Sequence, residues 1–274
     1  MTAMVLRVLI SGLGMMGGSL AAALHRTGAQ VWLQHRRPEV AENAAARGWG
    51  RVWGPERSPI DIAIVGCPPA VVPSLIRQLA DQTDALLTDM ASTKAGICSE
   101  LADLAHRFVG SHPMCGSHRQ GLDAADARLF HGATVAITPL PSTPPVLVDR
   151  ITTFWHLLET RTHQLSPADH DRLVAEASHL PHVLACLTAR LLTDEGLPLA
   201  AAGFRDTSRK AAGSPAMWGQ ILHENIEAVR QGIGRARADL DELDRALADR
   251  DAEGLLHWLQ EAHRRRQAFE VRDA

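Results

Sequence analysis

Four cysteines among 274 residues, Cys67, Cys98, Cys115 and Cys186, form no CxxC pair, so neither a disulfide framework nor a zinc site is expected and the thiols read as buried side chains. No apolar stretch approaches the roughly 20 residues that a bilayer span requires. The amino terminus enters a strand within a few residues, leaving no room for a signal peptide, and the cytoplasm is the expected location. Charge of one sign is also missing: the net charge of −3 argues against a general affinity for nucleic acid or anionic membrane. The basic run His263-Arg264-Arg265-Arg266 reads as the wet face of a terminal helix. There is no internal repeat and no low-complexity tract. What remains is an ordinary globular composition, 46% hydrophobic, long enough for two domains or one large one.

Within that composition, one local pattern carries the most information. An apolar strand, Val5 to Ser11, leads into Gly12-Leu13-Gly14-Met15-Met16-Gly17, then a helix from Gly18 to Thr27 and a second strand from Gln30 to Gln34. This strand, glycine loop and helix form the context in which GxGxxG binds a dinucleotide. The first two glycines allow a tight turn and close approach to a pyrophosphate, and Gly17 lets the helix pack on the strand. At the end of the second strand an NAD site places Asp or Glu for the ribose 2′-hydroxyl, whereas here stand His35, Arg36 and Arg37. A cationic cluster favours a 2′-phosphate, so NADP is the expected cofactor.

Further apolar runs, Asp61 to Gly66, Ala85 to Thr88, Phe108 to Gly110 and Thr134 to Thr138, are each followed by turn residues and a helical pattern, which predicts a parallel, doubly wound sheet of the Rossmann type. The prolines at 139, 141, 144 and 145 read as a surface loop before a helix from Val146 to Thr160. From Ser166 onward the pattern is helical with no convincing strand. The boundary is therefore placed near 165: a dinucleotide-binding α/β domain over 1–165 and an all-helical domain over 166–274.

In an open parallel sheet the chemistry gathers at the carboxyl ends of the strands. Cys67 and Pro68 follow the third strand and are read as shaping the loop under the nicotinamide. Ser92 follows the fourth and His112 the fifth. A substrate that gives up a hydride from a hydroxyl-bearing carbon must also lose the hydroxyl proton. His112 suits that role because imidazole titrates near neutral pH, and Ser92 is placed to orient imidazole and substrate hydroxyl. In the helical domain Arg205 and Arg209 stand four residues apart, on one face if helical, where they clamp carboxylates or else join a local ion-pair network with Asp206. A second constellation is Asp169-His170-Asp171 with His179 and His182. It lacks the HExxH spacing of a metal site, so no metal is expected and His179 reads as a polar contact to an anionic substrate.

Taken together, Gly12-Leu13-Gly14, Asp89-Met90-Ala91-Ser92-Thr93-Lys94, Gly110-Ser111-His112-Pro113-Met114-Cys115-Gly116, Ser178-His179-Leu180-Pro181 and Gly203-Phe204-Arg205-Asp206-Thr207-Ser208-Arg209 closely resemble the prephenate/arogenate dehydrogenase family of tyrosine biosynthesis. They are most similar to its short NADP-using arogenate dehydrogenases. The resemblance implies a Rossmann domain followed by a helical dimerisation domain, hence a homodimer. It implies His112 as catalytic histidine, Ser92 as hydroxyl-orienting serine and Arg209 as substrate-carboxylate arginine with Arg205 supporting. His179, Ser117 and Trp218 match positions lining the substrate pocket, and Gln120 is a further candidate there. The implied reaction is oxidative decarboxylation of arogenate, with prephenate or both substrates as the alternative. Which substrate carboxylate Arg209 holds stays open. Apolar positions Ile221, Ala228, Ile233, Leu240, Leu243 and Leu247 predict the symmetric dimer face.

Two other readings fit parts of this pattern. A β-hydroxyacid or imine reductase also joins a Rossmann domain to a helical one. A non-catalytic NADP sensor needs the glycine fingerprint but has no use for Ser92 and His112 at neighbouring strand ends.

Overall fold

The computed structural model of the chain describes residues 5–54, 58–116 and 119–273. The chain divides into two compact units, residues 1–226 and 227–274. The first is built on a five-stranded parallel sheet of β1 (Arg7–Ser11), β2 (Gln30–Gln34), β3 (Arg51–Val52), β4 (Ile62–Val65) and β5 (Leu86–Asp89). The spatial order β3-β2-β1-β4-β5 reverses direction between β1 and β4, the point where such sheets bind ligands. Strands β1 and β4 read as unbroken apolar runs because both faces of a parallel sheet are covered. Successive side chains alternate: Val8 and Ile10 join one core with Leu20, Leu24 and Trp155, while Leu9 joins the other with Ile76, Leu87 and Phe108.

Helices α1 (Met15–Arg26), α2 (Pro38–Ala46), α3 (Val72–Gln82), α4 (Ala95–Glu100) and α5 (Pro145–His156) flank the strands. The runs at 108–110 and 134–138 do not extend the parallel sheet as expected. Phe108 makes a single parallel bridge to Leu87, after which β6 (Gly110–Pro113) pairs antiparallel with β7 (Thr134–Thr138). Strand β8 (Arg161–Gln164) then adds parallel to β7. A parallel connection requires a crossover, usually a full helix. Among its described residues, the segment between β6 and β7 has only a short 3-10 turn, Leu122–Ala124. The helix expected over 146–160 stops at His156, and Glu159 takes a left-handed φ of 59° as the chain turns toward β8.

Beyond 166 the first unit is helical: α6 (Pro167–Val174), a π-helical turn at Ala175–His179, α7 (Leu180–Leu191), α8 (Ala202–Ser208) and α9 (Pro215–Glu224). Ser166 caps α6, its hydroxyl accepting the Asp169 N–H at 3.1 Å. The second unit is formed by α10 (Ile226–Ala248) and α11 (Ala252–Asp273). Of the expected apolar stripe, Ile221 is buried, Ala228, Ile233 and Leu243 are half-buried, and Leu240 and Leu247 are exposed, as are Leu256, Leu259 and Phe269 of α11. No helix among the described residues is long and apolar enough to cross a membrane.

Candidate active site

Each glycine of the first loop meets a different demand. Gly12 adopts φ +100°, and a Cβ there would come within 2.6 Å of the Gly66 carbonyl oxygen. Gly17 packs so closely that a Cβ would lie 1.8 Å from the Gly12 carbonyl oxygen. Gly14 is the opposite case: a Cβ would meet nothing within 4 Å. It is the residue preceding α1, whose amino end has no side-chain cap and no acidic residue in its first turn. Open space before an uncapped helix amino terminus fits a pyrophosphate. Leu13 is buried in the core, so it offers the loop its backbone only; Met15 and Met16 are half-buried beside it.

At the end of β2, the His35 Nδ1 accepts the Arg37 N–H at 3.2 Å, and Arg37 reaches Glu39 at 3.7 Å with both side chains largely exposed. Arg36 is exposed. Burial pushes the Cys67 thiol up, and the Arg36 guanidinium opposes that shift. On the loop after β4, Cys67 is half-buried and Pro68 exposed.

His112 lies in β6, buried, with its Nδ1 2.9 Å from His170 Nε2. His170, fully buried on α6, is in turn joined through Nδ1 to Asp171 Oδ1 at 2.7 Å. Asp171 accepts the backbone N–H of Lys94 at 2.7 Å and of Ala95 at 2.9 Å, so it also fixes the loop that carries Ser92. Ser92 is half-buried on that loop, and no hydrogen bond joins it to His112 among the described residues. The His112 Nε2 has no protein partner among them either. Burial above all, with the buried Lys94 ammonium adding to it, holds the His112 imidazole well below its ordinary range, which keeps it neutral.

The same loop hides an ion pair. Asp89, at the end of β5, and Lys94 are both fully buried and joined Oδ2 to Nζ. The remaining Asp89 valences accept the Ala91 N–H at 2.9 Å and the Ser111 N–H at 3.3 Å. The Ser111 hydroxyl, next to His112, contacts Thr88 Oγ1 at 2.8 Å and accepts Trp155 Nε1–H at 3.1 Å. The strand segment holding His112 is therefore tied down on both sides.

Arg205 and Arg209 share one cleft of about 470 Å³ lined also by Leu197, Ala200, Phe204 and Ser208. No ion pair engages Arg205, Asp206 or Arg209 among the described residues, so the local network considered above is not formed. The cleft lining does not include His112 or Ser92. His179, buried on the π-helical turn, has Nδ1 3.1 Å from Asn225 Nδ2, and desolvation lowers its pKa to about 4. Trp218 stands edge-on to His179 and stacks on His182 at 3.6 Å and 9°. Gly213 permits that stack, since a Cβ there would lie 2.6 Å from Trp218 Nε1. Gln120 is exposed, and Ser117 lies outside the described residues. No group of His, Cys, Asp or Glu among the described residues is arranged to hold a metal.

The family model for the prephenate dehydrogenase nucleotide-binding domain matches residues 20–164, and that for the prephenate dehydrogenase dimerization domain matches 166–261. The chain belongs to the prephenate/arogenate dehydrogenase family. A Lactococcus lactis prephenate dehydrogenase is 32% identical over 97% of this chain and 78% of its own length. The crystal structure of prephenate dehydrogenase from A. aeolicus in complex with hydroxyphenyl propionate and NAD+ superposes with a TM-score of 0.90 at 28% identity, covering 98% of this chain and all of that one. Synechocystis arogenate dehydrogenase gives 0.85 at 28% identity over 96% of this chain and 99% of that one.

Within this prephenate/arogenate dehydrogenase family member, several residues of the site had no role in the sequence reading. His170 and Asp171 were visible as part of a polar constellation, yet nothing local showed that they meet a histidine 58 residues away. His182, in the same constellation, is brought against Trp218 only by the fold. Its buried Nδ1 has no hydrogen-bond partner among the described residues.

Proposed function

We propose that the chain catalyses the oxidative decarboxylation of arogenate to tyrosine with NADP, prephenate being the alternative substrate. One observation carries the reading: a buried, neutral histidine with one ring nitrogen unengaged, beside the strand end where a nicotinamide ring belongs. Residues 1–165 act as the dinucleotide-binding domain and 166–274 as the helical substrate and dimerisation domain. The exposed leucines of α10 and α11 favour a symmetric homodimer. We place its work in the cytoplasm.

A nicotinamide dinucleotide bound at the glycine loop would supply the hydride acceptor. His112 Nε2 takes the hydroxyl proton as hydride leaves the ring carbon. Loss of carbon dioxide then returns the C–C electron pair to the ring, and the phenolate so formed takes the proton back from His112. The base ends as it began. Arg209 and Arg205 hold a carboxylate, and since gripping the departing one would stabilise the ground state, the side-chain carboxylate is the better assignment. The direct test is a panel of arogenate and prephenate, each with NADP and NAD. Turnover of neither substrate overturns the reading.

Two substitutions extend it. Arg36→Ala should raise the KM for NADP strongly with much less effect on any NAD activity, and equal effects on both would remove the NADP assignment. A carboxylate that loses its guanidinium partner costs about 2–5 kcal/mol, so Arg209→Ala should raise the substrate KM more than about tenfold while leaving NADP binding nearly unchanged. Arg209→Lys should restore only part of the loss, because an ammonium lacks the bidentate fork. A larger effect from Arg205→Ala would shift the clamp to that residue.

A further inference from the structure

We infer that His170 and Asp171 are positioning residues that lock His112 in one tautomer, with its proton on Nδ1 and its lone pair on Nε2. The inference rests on the reading of His112 as the base. It follows from the direction in which hydrogen bonds run along the chain of three side chains.

An ionised carboxylate can only accept. Burial alone would raise the Asp171 pKa, but the hydrogen bonds from His170 and from the N–H groups of Ala95 and Lys94 outweigh it and hold the group below its usual value. Asp171 Oδ1 therefore receives a proton from His170 Nδ1 across 2.7 Å. His170 is neutral, its pKa lowered by burial, so with the proton on Nδ1 its Nε2 carries a lone pair. That lone pair lies 2.9 Å from His112 Nδ1, and two lone pairs cannot face each other at that distance. His112 must donate from Nδ1, which leaves Nε2 bare. An isolated neutral imidazole has no such constraint, and the wrong tautomer would present N–H where the substrate hydroxyl must be accepted.

The arrangement also acts after proton capture. A charged His112 keeps its Nδ1–H donor, and the neutral His170 lone pair, polarised through Asp171, accepts it. The other charged or titratable groups facing the imidazole are Lys94, paired with Asp89 at the start of α4, and His179 from the π-helical turn. Lys94 and a charged His179 disfavour the cation. The His170 acceptor is what favours it.

The test uses three variants of the full chain. His170→Phe keeps the volume but removes the acceptor, and His170→Gln restores an acceptor close to the Nε2 position. His112→Asn identifies the base and assigns its signals. In ¹⁵N-histidine-labelled wild type near pH 7.5, long-range ¹H–¹⁵N spectra should show His112 protonated on Nδ1, and in His170→Phe the proton should move to Nε2. With arogenate or prephenate, His170→Phe should lower kcat about 10- to 100-fold with KM changed less than about threefold, in keeping with the range for general-base catalysis. The acidic limb of kcat/KM should move to lower pH, because the charged imidazole has lost its acceptor, and His170→Gln should recover part of both effects. A wild-type His112 protonated on Nε2, or a His170→Phe enzyme with unchanged kcat and pH profile, overturns the inference. Full turnover by His112→Asn instead overturns the base assignment, and the spectra still decide the tautomer.

Discussion

If His112 is the base, His112→Asn is expected to lower turnover by about 10²-fold or more while substrate and cofactor binding are largely retained, since the amide keeps size and polarity but cannot accept the proton. The wild-type pH profile carries the same signature. A general base works deprotonated, so kcat/KM falls only as pH drops through its pKa. An unperturbed imidazole would begin to fail near about 6.5. Burial first, then the buried Lys94 ammonium, places the His112 value well below that, so the plateau should extend into mildly acidic solution. Stopped-flow or steady-state rates between pH 5 and 8, with a check that the fold persists by circular dichroism, measure this directly. An acidic limb at or above the ordinary imidazole value, or near wild-type turnover in His112→Asn, would contradict the assignment.

Lys94→Met is expected to have the largest effect on stability. It leaves the Asp89 carboxylate fully buried with only the Ala91 and Ser111 N–H groups as partners. Breaking a buried ion pair on one side costs about 3–5 kcal/mol. For a unit of this size each kcal/mol is worth about 2–4 °C in Tm, so calorimetry should show a fall of about 10 °C. The double variant Asp89→Asn with Lys94→Met removes both charges and should recover most of the loss, because replacing a whole buried pair is often close to neutral. If the single variant melts within about 2 °C of wild type, water or another cation replaces Lys94. The lysine also disfavours the charged form of His112, so the acidic limb of Lys94→Met should move to higher pH, opposite to the shift expected for His170→Phe.

These residues differ in how plainly the sequence announces them. The glycine loop was legible because its requirements are local: a left-handed φ at Gly12, contact between Gly17 and the Gly12 carbonyl, and free space at Gly14 all arise within six residues. The sheet was legible wherever burial on both faces forces an apolar run, as in β1 and β4. It was not legible at β8, whose Arg161-Thr162-His163-Gln164 is polar and largely exposed, nor in the direction of β7, because strand polarity depends on the connection and not on the strand. His112 was picked out by its motif, whereas the side chains that contact it were not. His170 and Asp171 announce only a polar helix start, and their meaning depends on a strand that packs against them from far away in the chain.

The hydrogen bonds from Lys94 and Ala95 to Asp171, and between His112 and His170, join residues on opposite sides of position 165, where one family match gives way to the next. A recombination joint placed there would separate His112 from His170 and the Lys94 loop from Asp171. Unless the second parent supplies an equivalent carboxylate, the start of α4 would lose its acceptor, while the glycine loop would be inherited intact. Exchange between relatives at this position therefore preserves these contacts only when both parents bring the same His-Asp pair in the same register. The two halves are separable as text and joined by hydrogen bonds.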